Sequence, residues 1–302
     1  MNGAMRIYGL DFTSAPSSVS SKAKSLKRLI LAVCTLENGL LKVDNFEPLN
    51  GTSHGDFSKL EAWLYTEGPW VAGFDFPFGQ PVQLIDDLNW PKTWVGYVGC
   101  VNELGKNGFE EVLERYKDKK PKGQKELRRG TDCKAGAVSP MKLFGVPVGK
   151  MFFQGAPRLC RSNLSIHPLR IVDSENRHVI EAYPKLVARC CIGSNRYKSD
   201  NPCTNRNEMT EQRQQILNAI CGIDGNKTAF LSTYNIKLQI SPELKSECVN
   251  DPSGDCLDSV LCAIQAAWSY TMKENNYGIP MDASIIEGWI CDPQIFPNKV
   301  VA

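Results

Sequence analysis

From Arg6 to Phe12 the chain alternates, with Ile7, Gly9 and Asp11 on one side and Tyr8, Leu10 and Phe12 on the other, the two-residue period of a strand. The run ends in a carboxylate, and small residues, Thr13-Ser14-Ala15-Pro16, follow at once. Aspartate is poor in strands and costly to bury alone, so Asp11 either bonds its own loop in a strand-end turn or faces a cation or phosphate. A Ser- and Lys-rich loop, Ser14 to Lys27, separates this strand from a second apolar run, Arg28 to Leu36. Asn38-Gly39 then predicts a hairpin into a third strand, Leu40 to Phe46. Phe57, Leu60 and Leu64 recur at helical spacing within residues 54–66, and Trp70 to Pro77 reads as a fourth strand, apolar on both faces, that also ends in an aspartate, Asp75. Three strands in a meander, a helical crossover and a fourth strand predict an α/β sheet with strands one and four side by side in parallel. That topology makes Asp11 and Asp75 neighbours.

Periodicity weakens between Gly79 and Ser174. Trp90, Trp94 and Tyr97 suggest a helical patch and Phe109 to Tyr116 a short amphipathic helix. Frequent glycine and proline favour a large, mainly looped insertion at about 79–174 over a second domain, so one domain is expected across 1–302. Arg177 to Pro184 predicts a fifth strand in which Val179, Glu181 and Tyr183 share a face; Pro184 suits the first position of a following helix. Asn207 to Ile220 reads as a helix, and residues 226–241 are ambiguous. Asp255 to Trp268 predicts a buried helix through the stripe Leu257, Val260, Leu261, Ile264 and Trp268. Asp255 suits an N-cap or first-turn position, and Asp258, three residues on, lies on the same side.

Charge adds one feature. The 302-residue chain carries a net +2, but Arg115 to Lys150 holds eleven Lys or Arg against three acids, leaving about −6 for the remainder. This stretch is either a solvated loop or an electropositive arm for a polyanion, to which Arg158 and Arg161 add. Twelve cysteines are scattered without a Cys-x-x-Cys pair, which argues against a zinc or dithiol redox site. Cys34, Cys256 and Cys262 fall inside apolar patterns as small core residues. No apolar run reaches about 18 residues, and Met1 to Met5 lacks the features of a signal peptide, so a cytoplasmic protein with reduced thiols and no membrane span is expected. Three histidines leave any chemistry to carboxylates and basic residues.

Asp11, Asp75, Glu181, Asp255 and Asp258 all sit at the ends of apolar elements. Clustered carboxylates repel, and Mg²⁺ or Mn²⁺ removes the conflict. Two such ions, about 3.5–4 Å apart, activate water and stabilise a leaving oxygen in phosphodiester cleavage, chemistry that needs no histidine.

Gly9-Leu10-Asp11, Gly73-Phe74-Asp75-Phe76-Pro77-Phe78-Gly79, Glu181-Ala182-Tyr183-Pro184, Asp255-Cys256-Leu257-Asp258-Ser259 and Glu287-Gly288-Trp289-Ile290 together resemble, in order and over nearly the whole chain, the motifs of a predicted nuclease family, domain-of-unknown-function family 429. The resemblance implies an RNase H-like, mixed five-stranded sheet flanked by helices, with acidic metal ligands; the paired acids of the last helix are similar to those of RuvC-type resolvases. The long loop after Asp11 and the insertion after strand four depart from the fold's usual form.

The leading expectation is a metal-dependent nuclease in which Asp11 bridges the ions. Asp75, Glu181 and Asp258 complete the catalytic set, Asp255 is a further ligand or a helix cap, and Thr13, Ser14, Arg158 and Lys198 meet the phosphates of a DNA or RNA substrate. An actin-like nucleotide-dependent phosphotransferase or ATPase is the second possibility, since Asp11-Phe12-Thr13-Ser14 resembles a first phosphate loop, although Gly73 to Gly79 lacks the glycine-rich run its second loop needs. A non-catalytic nucleic-acid-binding protein is the third.

Overall fold

A computed structural model describes residues 3–18, 27–199, 206–222 and 228–296. Strand β1 (Met5–Asp11) pairs antiparallel with β2 (Ile30–Glu37), which turns into β3 (Leu40–Pro48). Asn38 and Gly39 both have positive φ, 49° and 78°, the backbone a two-residue hairpin requires. Part of the expected Ser/Lys-rich loop, residues 19–26, lies outside the described residues.

Helix α1 is shorter than its hydrophobic spacing predicts, Ser58–Trp63. Gly55 turns the chain at φ 75°, and the Asp56 carboxylate accepts the amide N–H groups of Thr52 (2.8 Å) and Ser58 (2.9 Å). That local loop removes residues 54–57 from the helix. Strand β4 (Trp70–Phe74) then joins β1 in parallel, the predicted crossover.

The segment expected to be mainly loop holds more helix than the patch at Trp90, Trp94 and Tyr97 and the short helix Phe109 to Tyr116 that its sequence predicts. It holds α2 (Val82–Asp87), α3 (Trp94–Asp118, kinked at Gly105), α4 (Gly130–Ala135) and α5 (Val148–Arg161). Of the glycines that suggested loops, Gly96, Gly99, Gly105 and Gly108 lie within α3 and Gly149 and Gly155 within α5, where burial of Tyr97, Phe109, Leu113, Phe152 and Leu159 outweighs their low helix propensity.

The remaining elements are β5 (Ser165–Ile166), β6 (Arg177–Glu181), α6 (Pro184–Ile192), α7 (Arg206–Cys221), α8 (Ala229–Tyr234), β7 (Lys237–Gln239), α9 (Pro242–Asn250) and α10 (Asp255–Thr271). The sheet is mixed, in the order β5-β6-β4-β1-β2-β3-β7. It has seven strands where five were expected. The two additions, β5 and β7, are edge strands of two and three residues, too short to leave an alternating pattern in sequence.

Each face of the sheet covers its own core. Ile7, Val71 and Ile180 pack with residues of α6, α7 and α10; Leu10, Ala72 and Phe74 pack with residues of α1, α3 and α5. Two glycines set how closely α10 approaches. Gly9 and Gly73 are register partners across β1 and β4. A Cβ on Gly9 would stand 2.0 Å from the Ser259 carbonyl oxygen, and one on Gly73 would stand 2.5 Å from that of Cys262. The helix backbone therefore rests directly on the sheet backbone, an approach open only to glycine.

Candidate metal centre

Each of these two glycines stands two residues before an aspartate. The parallel register carries Leu10 alongside Phe74, and the Asp75 amide N–H donates to the Leu10 carbonyl at 3.0 Å. Asp11 and Asp75 thus leave adjacent strand ends together. Helix α10, seated on the glycines, brings Asp258 to the same point from its first turn. Asp11, Asp75 and Asp258 each offer a carboxylate oxygen, all within 4.8 Å of one another. Asp258 is fully buried and Asp11 is 8% exposed.

Burial and like charge set the electrostatics. Burial, then the charges of Asp255, Asp258 and Asp75, push the Asp11 carboxyl well above the usual range, against the pull of Lys198. Asp75 is pushed up to about 7, mainly by burial, with Asp258 and Glu181 adding to it and Lys198 opposing. Among the described residues no side chain or amide donates a hydrogen bond to the carboxylate of Asp11 or Asp75. Asp258 is served from two sides: the Tyr197 hydroxyl donates to its Oδ1 at 2.7 Å, and the Lys198 ammonium contacts its Oδ2. Burial depresses the Lys198 ammonium, but Asp258, Tyr197, Asp11 and Asp75 together raise it well above its ordinary value.

The other expected ligands, Asp255 and Glu181, border this group but are held by arginines. Asp255 accepts from Arg28 Nε at 3.0 Å, and Arg28 Nη2 also pairs with Asp251 at 2.5 Å. Burial and the Asp251 charge, only partly offset by Arg28, raise Asp255 to about 6. Asp255 therefore lies outside the group of three, its Oδ2 held by Arg28, although its charge still bears on Asp11 from close by.

Glu181 holds the buried guanidinium of Arg129 through bonds of 2.6 and 2.8 Å, and also accepts the Phe78 amide at 3.0 Å. Asp132 grips the same guanidinium from its other side, at 2.7 and 2.9 Å. Glu181 lies beside Asp75 along the rim of a small cleft of about 50 Å³, but its oxygens are committed to Arg129.

Thr13 and Ser14, which follow Asp11 after Phe12, are half-buried. Arg158 lies over the Phe57 ring, 4.1 Å away, and its Nε stands 3.0 Å from Glu61, so it is anchored on the α1 side. Nor is the basic stretch a uniform arm. Arg129 is buried in its ion network, and Arg115, Lys117, Lys120 and Lys150 pair with acids among the described residues.

Sequence reasoning missed Tyr197, Arg129 and Arg28, whose partners lie 61, 52 and 227 residues away. The repeated Gly-x-Asp at 9–11 and 73–75 was a readable signal for the two seating glycines. Comparison with protein-family models, curated proteins and solved structures found no match for this chain.

Proposed function

We propose that the chain is a divalent-metal-dependent phosphodiester hydrolase, a nuclease acting on DNA or RNA. The observation that carries this reading is the convergence of three carboxylates from β1, the end of β4 and α10, two of them without hydrogen-bond donors among the described residues. The donor set fits a hard cation: oxygens only, mutually repulsive, with the Asp11 and Asp75 carboxyls raised toward protonation by burial and by the neighbouring acids. The β1–β2–β3 meander with β4 and β6 added in parallel supports an RNase H-like reading, to which β5 and β7 are edge additions.

Asp11, Asp75 and Asp258 would hold the metal. Bound there, Mg²⁺ or Mn²⁺ supplies a water of lowered pKa and a Lewis acid for a phosphate oxygen. The protein does the rest. Tyr197 fixes one oxygen of Asp258, so the carboxylate presents a set orientation. Burial of Asp11 keeps water from diluting its charge. Lys198 offers an ammonium at the rim, and the half-buried Thr13 and Ser14 provide hydroxyls on the loop next to Asp11.

Thermal unfolding in Mg²⁺, Mn²⁺ and EDTA tests the site, paired with cleavage of single-stranded, double-stranded, hybrid and branched substrates. A metal at 100 times its dissociation constant stabilises by about 2.7 kcal/mol. Asp11→Asn should lose both the stabilisation and the cleavage while keeping its far-UV spectrum. Cleavage at the wild-type rate by Asp11→Asn, or no stabilisation of the wild type by either metal, refutes the reading.

A further inference from the structure

Lys198 occupies an unusual position for a surface-rooted side chain. Its ammonium reaches the fully buried carboxylate of Asp258, yet 42% of the side chain remains exposed. Its stem lies across the start of α10, where Gly254 holds φ 77° and a Cβ would stand 3.2 Å from both Cβ and Cδ of Lys198. A glycine at the helix N-cap thus leaves a track along which the lysine stem can run, one end in solvent and the other among the acids. The ammonium lies close enough to Asp11 and Asp75 to oppose the charge repulsion at both. Asp11, nine-tenths buried and without a donor among the described residues, faces the same point.

Resting on the metal-dependent reading above, we propose that Lys198 is the chain's own counter-cation, displaced from Asp258 by the incoming divalent metal and thereby released to bind the phosphate of the substrate. One ammonium satisfies one oxygen of Asp258 and leaves Asp11 and Asp75 to its longer-range field. A divalent ion serves all three carboxylates, so the two cations compete for Asp258. Displacement costs the lysine a charge-assisted hydrogen bond but leaves it at the mouth of the site, where the four-carbon stem and exposed portion let it meet an anion. Metal and phosphodiester binding are then coupled through a single side chain, with no movement of the backbone, and the coupling is reciprocal.

Two measurements on the full chain test this. In the first, isothermal titration with Mn²⁺ compares wild type with Lys198→Met and Lys198→Gln; the glutamine variant keeps a donor without the charge and serves if the methionine variant does not fold. Removing the competing ammonium should tighten Mn²⁺ binding about tenfold or more, the equivalent of one charge-assisted hydrogen bond. In the second, mass spectrometry follows acylation of Lys198 by an amine-reactive reagent. Labelling should rise when Mn²⁺ is added and fall again with EDTA, while Lys59 and Lys106 stay constant. Equal Mn²⁺ affinity in wild type and variants, or Lys198 labelling unaltered by bound Mn²⁺, overturns the displacement and leaves the metal site standing. Absence of Mn²⁺ binding in every protein overturns both.

Discussion

The seating of α10 on Gly9 makes a demanding prediction. In Gly9→Ala the added Cβ would stand 2.0 Å from the Ser259 carbonyl oxygen, 2.3 Å from the Ala263 nitrogen and 2.9 Å from its Cα. All three are backbone atoms, so no side-chain rotation relieves the overlap. Reaching an ordinary contact of 3.4 Å requires the helix and sheet to part by about 1.4 Å, measured from that closest approach. A radial gap of about 0.5–1 Å already forfeits a quarter to a half of a dispersion well, and Leu257, Val260, Leu261 and Ile264 on α10 are all fully buried. Overpacking usually costs about 1–3 kcal/mol, and the absence of any flexible neighbour puts this site at or above the top of that range. Denaturant unfolding of Gly9→Ala should show a loss of about 3 kcal/mol, equivalent to a melting point lower by about 5 °C for a domain of 302 residues. The same displacement carries Asp258 away from Asp11 and Asp75, so whatever protein remains folded should lose stabilisation by Mn²⁺. Gly99→Ala is the control: it lies in α3, a Cβ there meets nothing within 4 Å, and the exchange should stabilise by up to about 1 kcal/mol. A Gly9→Ala protein as stable as wild type, with an intact response to metal, refutes the account of how the carboxylates are brought together.

Other consequences follow from the same geometry. Arg129→Met leaves Glu181 and Asp132 buried without their shared cation and should cost about 3–5 kcal/mol, with partial recovery when Glu181→Gln is added; a loss below about 1 kcal/mol in denaturant titration contradicts the network. Tyr197→Phe removes the 2.7 Å bond to Asp258 and should weaken Mn²⁺ binding about tenfold while cleavage survives at saturating metal; unaltered affinity by calorimetry removes Tyr197 from the site.

His167 supplies the pH prediction. It is buried against His178, 3.0 Å away, and beneath the Tyr277 ring; burial first, then His178, lower its pKa to about 3. The unfolded chain takes up this proton near pH 6.5 and the folded one only near 3, so the stabilisation is complete above 6.5 and lost as pH falls toward 3. Wild type should lose about 1.4 kcal/mol per pH unit relative to His167→Phe across that window. Parallel stability curves for the two proteins from pH 6.5 to 4 contradict it.

The legible part of this molecule is its local part. Alternation in Arg6 to Phe12, the Asn38-Gly39 turn, Pro184 at the head of α6 and the apolar stripe of α10 are each written within a few adjacent residues, because backbone geometry imposes their period or conformation directly. The meander, the helical spacing of Phe57, Leu60 and Leu64 and the apolar run from Trp70 likewise predict the parallel pairing of β1 with β4 and the adjacency of Asp11 and Asp75. Within 79–174 the Trp94–Tyr97 patch and the Phe109–Tyr116 helix were legible, both inside α3, whereas α5 was hidden because burial rather than propensity holds it, and the edge strands because two or three residues carry no period.

Tertiary structure alone decided which further acid joins Asp11 and Asp75. Asp255 and Asp258 lie one turn apart on the same helix, yet one faces Arg28 and the other joins Asp11 and Asp75. Glu181 sits at a strand end like Asp75, yet Arg129 takes up both its oxygens. A carboxylate's role depends on the cation nearest to it in space, and burial raises the energy of that choice well above any local preference. The partners that settle it here come from 52 to 227 residues away, and no pattern of neighbouring positions encodes them.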